Sequence, residues 1–157
     1  MDITLTYQSL YDTASRSLSI IGKRSVDDQG NLLFKDVTLS TREQEIVTDY
    51  FRQAVIDLSA ELSAFIAAST DTSITLMLPT SHNAALEGFI QKSCEAYCVS
   101  YALYSWLFIT APRIAPRYLD DCKRQLAAVI RLAHEKKAPE TPPASPLDIN
   151  TTVTPQQ

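Results

Sequence analysis

Cys94 and Cys98 stand four residues apart, so on a helix they share one face and could supply half of a metal site. A zinc site needs a second closely spaced ligand pair. The two histidines, His82 and His134, have no ligand spacing to the cysteines. Two small apolar side chains packed in a core is the reading that fits. A nucleophilic Cys–His pair would have to draw on Cys94, Cys98 or Cys122. All three fall on inner faces of the expected helices, where a thiol is ordinarily inert. Asp27, Asp28 and Asn31 lack the alternate-position frame and terminal glutamate of a calcium loop, so they read as a turn around Gly30. Asp120 and Asp121 are adjacent and point in different directions on a helix. No glycine-rich phosphate loop, His-Glu-x-x-His pair or nucleophile elbow is present. The sequence therefore assigns no catalytic, cofactor-binding or metal-binding residue, and the expectation is a protein that is not an enzyme. Tyr97, Tyr101 and Tyr104 resemble a base-stacking ladder, but such platforms sit beside basic residues and these sit among Ser, Ala and Leu. Core packing or an interface is expected of them. Arg113 and Arg117, at a proline-marked corner, are the candidates for a local anion or DNA-facing contact.

These residues must be positioned by helices. The stretch 94–111 carries no charge after Glu95 and is apolar or aromatic on nearly every face, which predicts a buried central helix. A membrane span needs roughly 20 predominantly apolar residues, and the run 96–111 is shorter and contains Ser100 and Ser105. No membrane association is expected, and the first ten residues lack the basic and apolar regions of a secretory signal. The chain has 157 residues, enough for one domain with a real core, with 45% hydrophobic content and three glycines. So few glycines favour an α-rich fold. A formal net charge of −4 gives no general attraction to nucleic acid. Three cysteines, an odd number, point to a reducing compartment.

Apolar spacing predicts a first helix over about 6–23, with Tyr7, Leu10, Tyr11, Ala14, Leu18 and Ile21 on one face. Residues 32–34 and 37–39 read as short extended pieces. Ser40 with Glu43 forms a capping box that opens a second helix over about 40–68, some 40 Å long. Its stripe runs from Ile46 and Val47 to Phe65 and Ile66. Residues 73–78 read as a strand, pairing with 32–34 or with another subunit. Ser81 or Asn83 would cap a third helix over about 84–110, with Leu86, Phe89, Ile90, Tyr97, Tyr101, Leu103 and Leu107 as core. Pro116 opens a fourth helix to about His134, with Tyr118, Leu119, Cys122, Leu126, Val129, Ile130 and Ala133 inward. Residues 138–157 hold five prolines and no aromatic residue and cannot fold alone. The expected architecture is mainly α: an elongated four-helix bundle over 1–137, a short two-stranded or extended β element, and an extended C-terminal arm over 138–157.

This order of elements resembles the head–tail connector (adaptor, or neck) proteins of tailed bacteriophages, as in Bacteroides-type phages and prophages. The residues that carry it are Gly22-Lys23-Arg24-Ser25-Val26-Asp27 with Gly30-Asn31-Leu32-Leu33, then Leu78-Pro79, then 101–107. It covers roughly 5–137 as a pattern of elements and leaves the arm outside. The resemblance implies a virion structural protein, present in the host cytoplasm before assembly and in the phage neck afterwards. It implies a homo-oligomeric ring, commonly of about twelve copies, bound to the portal and other neck proteins, with DNA met only as it passes through the channel. The arm would dock on the portal or a neighbouring subunit through Pro142, Pro143, Pro146, Leu147 and Ile149. The alternative is a cytoplasmic helical-bundle interaction module with the arm as its ligand.

Overall fold

Asp2–Thr6 alternates Ile3 and Leu5, both fully buried, with exposed Asp2, Thr4 and Thr6. That period of two makes it a strand, β1, with one face on the core. Two apolar positions are too few to mark such a period in the sequence, so the strand is visible only in the fold. The computed structural model describes residues 1–24, 29–31, 38–78 and 84–135. The extended pieces expected at 32–34 and 37, the caps Ser81 and Asn83, and the arm lie outside them. Helix α1, Tyr7–Arg24, follows β1 directly and buries Tyr7, Leu10, Ala14, Leu18 and Gly22 at spacings of three and four. Lys23 and Arg24 close its last turn, where positive charge suits the helix dipole. Gly30 takes φ +82°, the left-handed conformation that glycine tolerates, as a turn there requires.

The capping box forms as expected. The Ser40 backbone N–H donates to Glu43 Oε2 at 2.8 Å, the Ser40 hydroxyl donates to the same carboxylate, and Arg42 N–H donates to Ser40 Oγ at 3.3 Å. The Ser40 hydroxyl, and then its backbone N–H, hold the Glu43 carboxyl below the usual range. Ser40→Ala should cost about 1 kcal/mol at neutral pH. A depressed carboxyl pKa stabilises above the unfolded value and loses that contribution as pH falls through the folded one. The mutational difference, read from urea unfolding, should therefore shrink as pH drops below the ordinary glutamate range; a constant difference would rule out the carboxylate's part.

Thr41–Glu43 forms one 3-10 turn, and helix α2 then runs Gln44–Glu61, about 27 Å rather than the expected 40 Å. Val47, Phe51, Ala54, Val55 and Leu58 are buried, while Ile46, counted in the stripe, is exposed. The helix stops because Ser63 adopts φ +49° and Ala64 N–H reaches back to the Ser59 carbonyl at 2.9 Å. Phe65 and Ile66, which continue the helical spacing, instead begin strand β2, Phe65–Ser69. It forms a hairpin with β3, Ser73–Met77. At the hairpin loop Thr70 Oγ1 accepts from the N–H groups of Thr72 (3.3 Å) and Ser73 (3.0 Å), which closes the turn.

The strand at 73–77 is as expected, but its pairing is not. β3 lies at the centre of a three-stranded antiparallel sheet, order β1-β3-β2. Both its edges are taken within the chain, by β1 and β2, so it offers no edge to another subunit. Ile3, Leu5, Ile74 and Leu76 make the buried face.

After a 3-10 turn at Ala84–Leu86, helix α3 runs Glu87–Thr110 and packs against all three other helices. Gln91 Nε2 donates to the Thr4 carbonyl at 2.8 Å and ties the start of α3 to β1. Ile90, Cys94, Tyr97, Cys98, Leu103 and Leu107 are buried as expected, with Val99, Ala102 and Trp106 beside them. Phe89 is exposed, and so are Phe108 (62%) and Ile109 (66%), so the apolar stretch is not buried on every face. Three neighbours cannot enclose a helix on all sides at its ends. Helix α4, Ala115–His134, has Pro116 at its second position and buries Cys122, Val129 and Ala133 against α3. The observed fold is four helices with a small three-stranded antiparallel sheet, and no helix among the described residues is long and apolar enough to cross a membrane.

Candidate functional site

The three thiols are buried and unpaired by any disulfide. Burial, with help from Glu95, pushes Cys94 up to about 12; burial, with help from Asp57, pushes Cys122 up to about 11. Fully enclosed between them, Cys98 is raised well above its ordinary 9.0, first by burial and then by the neighbouring Cys94. Thiolate chemistry is disfavoured at all three positions. His82 lies outside the described residues, and His134 is exposed in the last turn of α4. Among the described residues no group of three His, Cys, Asp or Glu is placed to hold a metal ion. Asp121 accepts from Arg124 one turn on, while Asp120 is exposed. Asp27 and Asp28 lie outside the described residues.

Raised thiol pKa values carry a sign. A proton held more tightly in the folded state stabilises below the unfolded pKa and is lost as pH rises through the folded one. Folding stability should thus decline from about pH 9 upward, across the range set by Cys122 and Cys94. Titration with a thiol reagent at pH 8 should find no fast-reacting cysteine in the folded protein and all three after denaturation. One fast thiol in the native state would contradict this burial.

The tyrosine ladder is core rather than platform. Tyr97 is buried, its ring centroid 6.1 Å from that of half-buried Tyr101, and burial raises the pKa of both hydroxyls. Tyr104 packs at 6.0 Å on Phe108, which carries the ladder out to the surface at the end of α3. Tyr97 and Tyr101 lie near Asp57 of α2 and Cys122 of α4.

Arg113 and Arg117 are both exposed at the corner between α3 and α4. Arg117 joins Arg24, from the end of α1, around a cleft of about 340 Å3 whose other lining residues are Ile20, Ile21, Ile114 and Tyr118. Burial raises the Tyr118 hydroxyl, while the Arg117 guanidinium pulls the other way. Arg113 does not line this cleft but stands on the adjoining turn. Together with Lys23, these cations mark the pole opposite the sheet as basic. Ile20 (52% exposed), near the end of α1, and Phe108 and Ile109, at the end of α3, are exposed apolar side chains at the same pole. Arg24 read in the sequence only as a helix-end charge; its adjacency to Lys23 was the available signal, and the length of α1 decides that it meets Arg117.

A second uncovered region lies at the other end. β2 is an edge strand exposed along its whole length, with Phe65 at 74% and Ile66 at 43%. Pro142, Pro143, Pro146, Leu147 and Ile149 lie outside the described residues. No family model, no curated protein and no solved structure matches the chain.

Proposed function

We propose that the chain is a virion structural subunit, a head–tail connector that assembles as a ring between portal and tail around the DNA channel. One observation carries the reading: a body with a fully buried core still leaves large apolar side chains uncovered at both ends, Ile20, Phe108 and Ile109 at one and Phe65 and Ile66 at the other. Adjacent exposed apolar pairs such as Phe65-Ile66 and Phe108-Ile109 would suit protein–protein contact, the role that contiguous apolar patches have. They suit a subunit with a neighbour on each side. The four helices would act as one elongated bundle spanning the ring wall, with residues 138–157 as an arm on the portal or a neighbour. Arg24, Arg113 and Arg117 give one pole positive charge on a chain of net charge −4, a local contact for DNA or an acidic partner without a general grip on a passing duplex.

Mass spectrometry of purified phage particles, induced from a host that carries the gene, tests this. The expected result is peptides of this chain in the particle at near-equal stoichiometry to the portal. Finding the chain only in the lysate, in a discrete complex, would replace the virion reading with the cytoplasmic interaction module.

A further inference from the structure

α1 and α4 both rest on α3 but make at most slight contact with each other. The gap between them at the corner pole is the cleft of about 340 Å3. Each wall comes from one turn of chain. The end of α1 gives Ile20, Ile21 and Arg24, and the start of α4 with its cap residue gives Ile114, Arg117 and Tyr118. Spacings of three and four put each trio on one helix face. Both walls thus pair isoleucine with one arginine.

None of these six residues is acidic. Asp121, the acid that acts on Tyr118 from one turn on, accepts from Arg124. Burial keeps the Tyr118 hydroxyl protonated, so it can donate. The backbone adds little. Pro116 has no N–H, and the Arg117 N–H donates to the Ile114 carbonyl at 3.2 Å. The positive charge of the cleft therefore comes from two guanidiniums, one on each wall.

Those groups select a ligand. Two guanidiniums with no carboxylate in the lining favour an anion, and the planar fork of arginine suits a carboxylate. Isoleucine on both walls favours apolar carbon beside that charge. A phosphate on a DNA duplex brings charge without apolar surface and would leave the isoleucines wet. Volume sets the size: ligand sites run from about 300 to 1,000 Å3, and this one is at the small end. We infer that the cleft between α1 and α4 binds a small amphipathic carboxylate, an aromatic or branched apolar body carrying one acid group. This goes beyond the proposed function and holds whether or not the chain enters a particle.

Isothermal titration of the full chain with naphthoate, naphthamide and acetate tests it. Naphthamide keeps the rings without the charge, and acetate keeps the charge without the rings. Naphthoate should bind saturably at one site per chain, and the other two about tenfold more weakly. Arg24→Gln and Arg117→Gln should each weaken naphthoate about tenfold, whereas Arg113→Gln, outside the cleft, should change it less than about twofold. Ile20→Ser should weaken it as well. All four side chains are exposed, so circular dichroism should show native folding in every variant. No saturable binding at millimolar naphthoate would overturn the inference, as would naphthamide binding equally well. An equal loss in Arg113→Gln would reduce the cleft to the general charge of the pole and overturn it. Binding that appears only after Asp27→Asn combined with Asp28→Asn would assign the arginines to the chain's own acids and overturn it too. None of these outcomes bears on the particle experiment, so the two readings fail separately.

Discussion

Replacing Phe51 with alanine should lower the unfolding free energy by about 3–5 kcal/mol, while the same change at Phe108 should cost less than about 0.5 kcal/mol. Both are phenylalanines on long helices with apolar neighbours, and Phe108 sits in the more hydrophobic stretch. The fold decides between them. Phe51 is fully buried on α2, the helix that packs against α1, α3 and β3, and its removal leaves a cavity that close-packed neighbours cannot refill. Phe108 is 62% exposed on α3, with its ring 6.0 Å from that of Tyr104. Domains of this size are stable by only about 5–15 kcal/mol, so Phe51→Ala should shift the urea midpoint strongly and leave the slope unchanged. Equal effects at the two positions would mean that the α3 end is packed as tightly as the core. If Phe108 lies under a neighbour in an assembly, its replacement should weaken association without touching the stability of the isolated chain.

The second large effect separates the two faces of one strand. Leu76→Asp should prevent folding, whereas Thr75→Asp should change stability by about 1 kcal/mol or less. Leu76 is the fully buried centre of the middle strand, opposite Ile3 on one side and Ile66 on the other. A carboxylate there has no partner and no water, and burying such a charge costs several kcal/mol even when it takes up a proton instead. Thr75 points to the other face, where its hydroxyl sits 3.1 Å from that of Thr4 in solvent. Circular dichroism of the two purified variants decides the matter. A folded Leu76→Asp protein with an unchanged melting temperature would show that the sheet does not cover the helices as described.

Much of the helical content was written in local pattern. Apolar spacing places both ends of α1 within a residue, the prolines at 112 and 116 do the same for the end of α3 and the start of α4, and the Ser40–Glu43 box marks the 3-10 turn that leads into α2, because capping and periodicity act over a single turn. The inertness of Cys94, Cys98 and Cys122 was legible for the same reason: each falls on a face that its own helix turns inward. What only the tertiary structure decided is everything that depends on distant partners. Phe65 and Ile66 continue the spacing of α2, yet they leave it because β3 offers them backbone partners and Ser63 permits the reversal. β1 is a strand because residues 73–77 pair with it from 67 to 75 positions away. The meeting of Arg24 with Arg117 follows from α1 and the α3–α4 corner ending at one pole, and no local spacing encodes it. A helix can be read from neighbours one turn away; a sheet edge, a cleft and an uncovered surface exist only once the whole chain has packed.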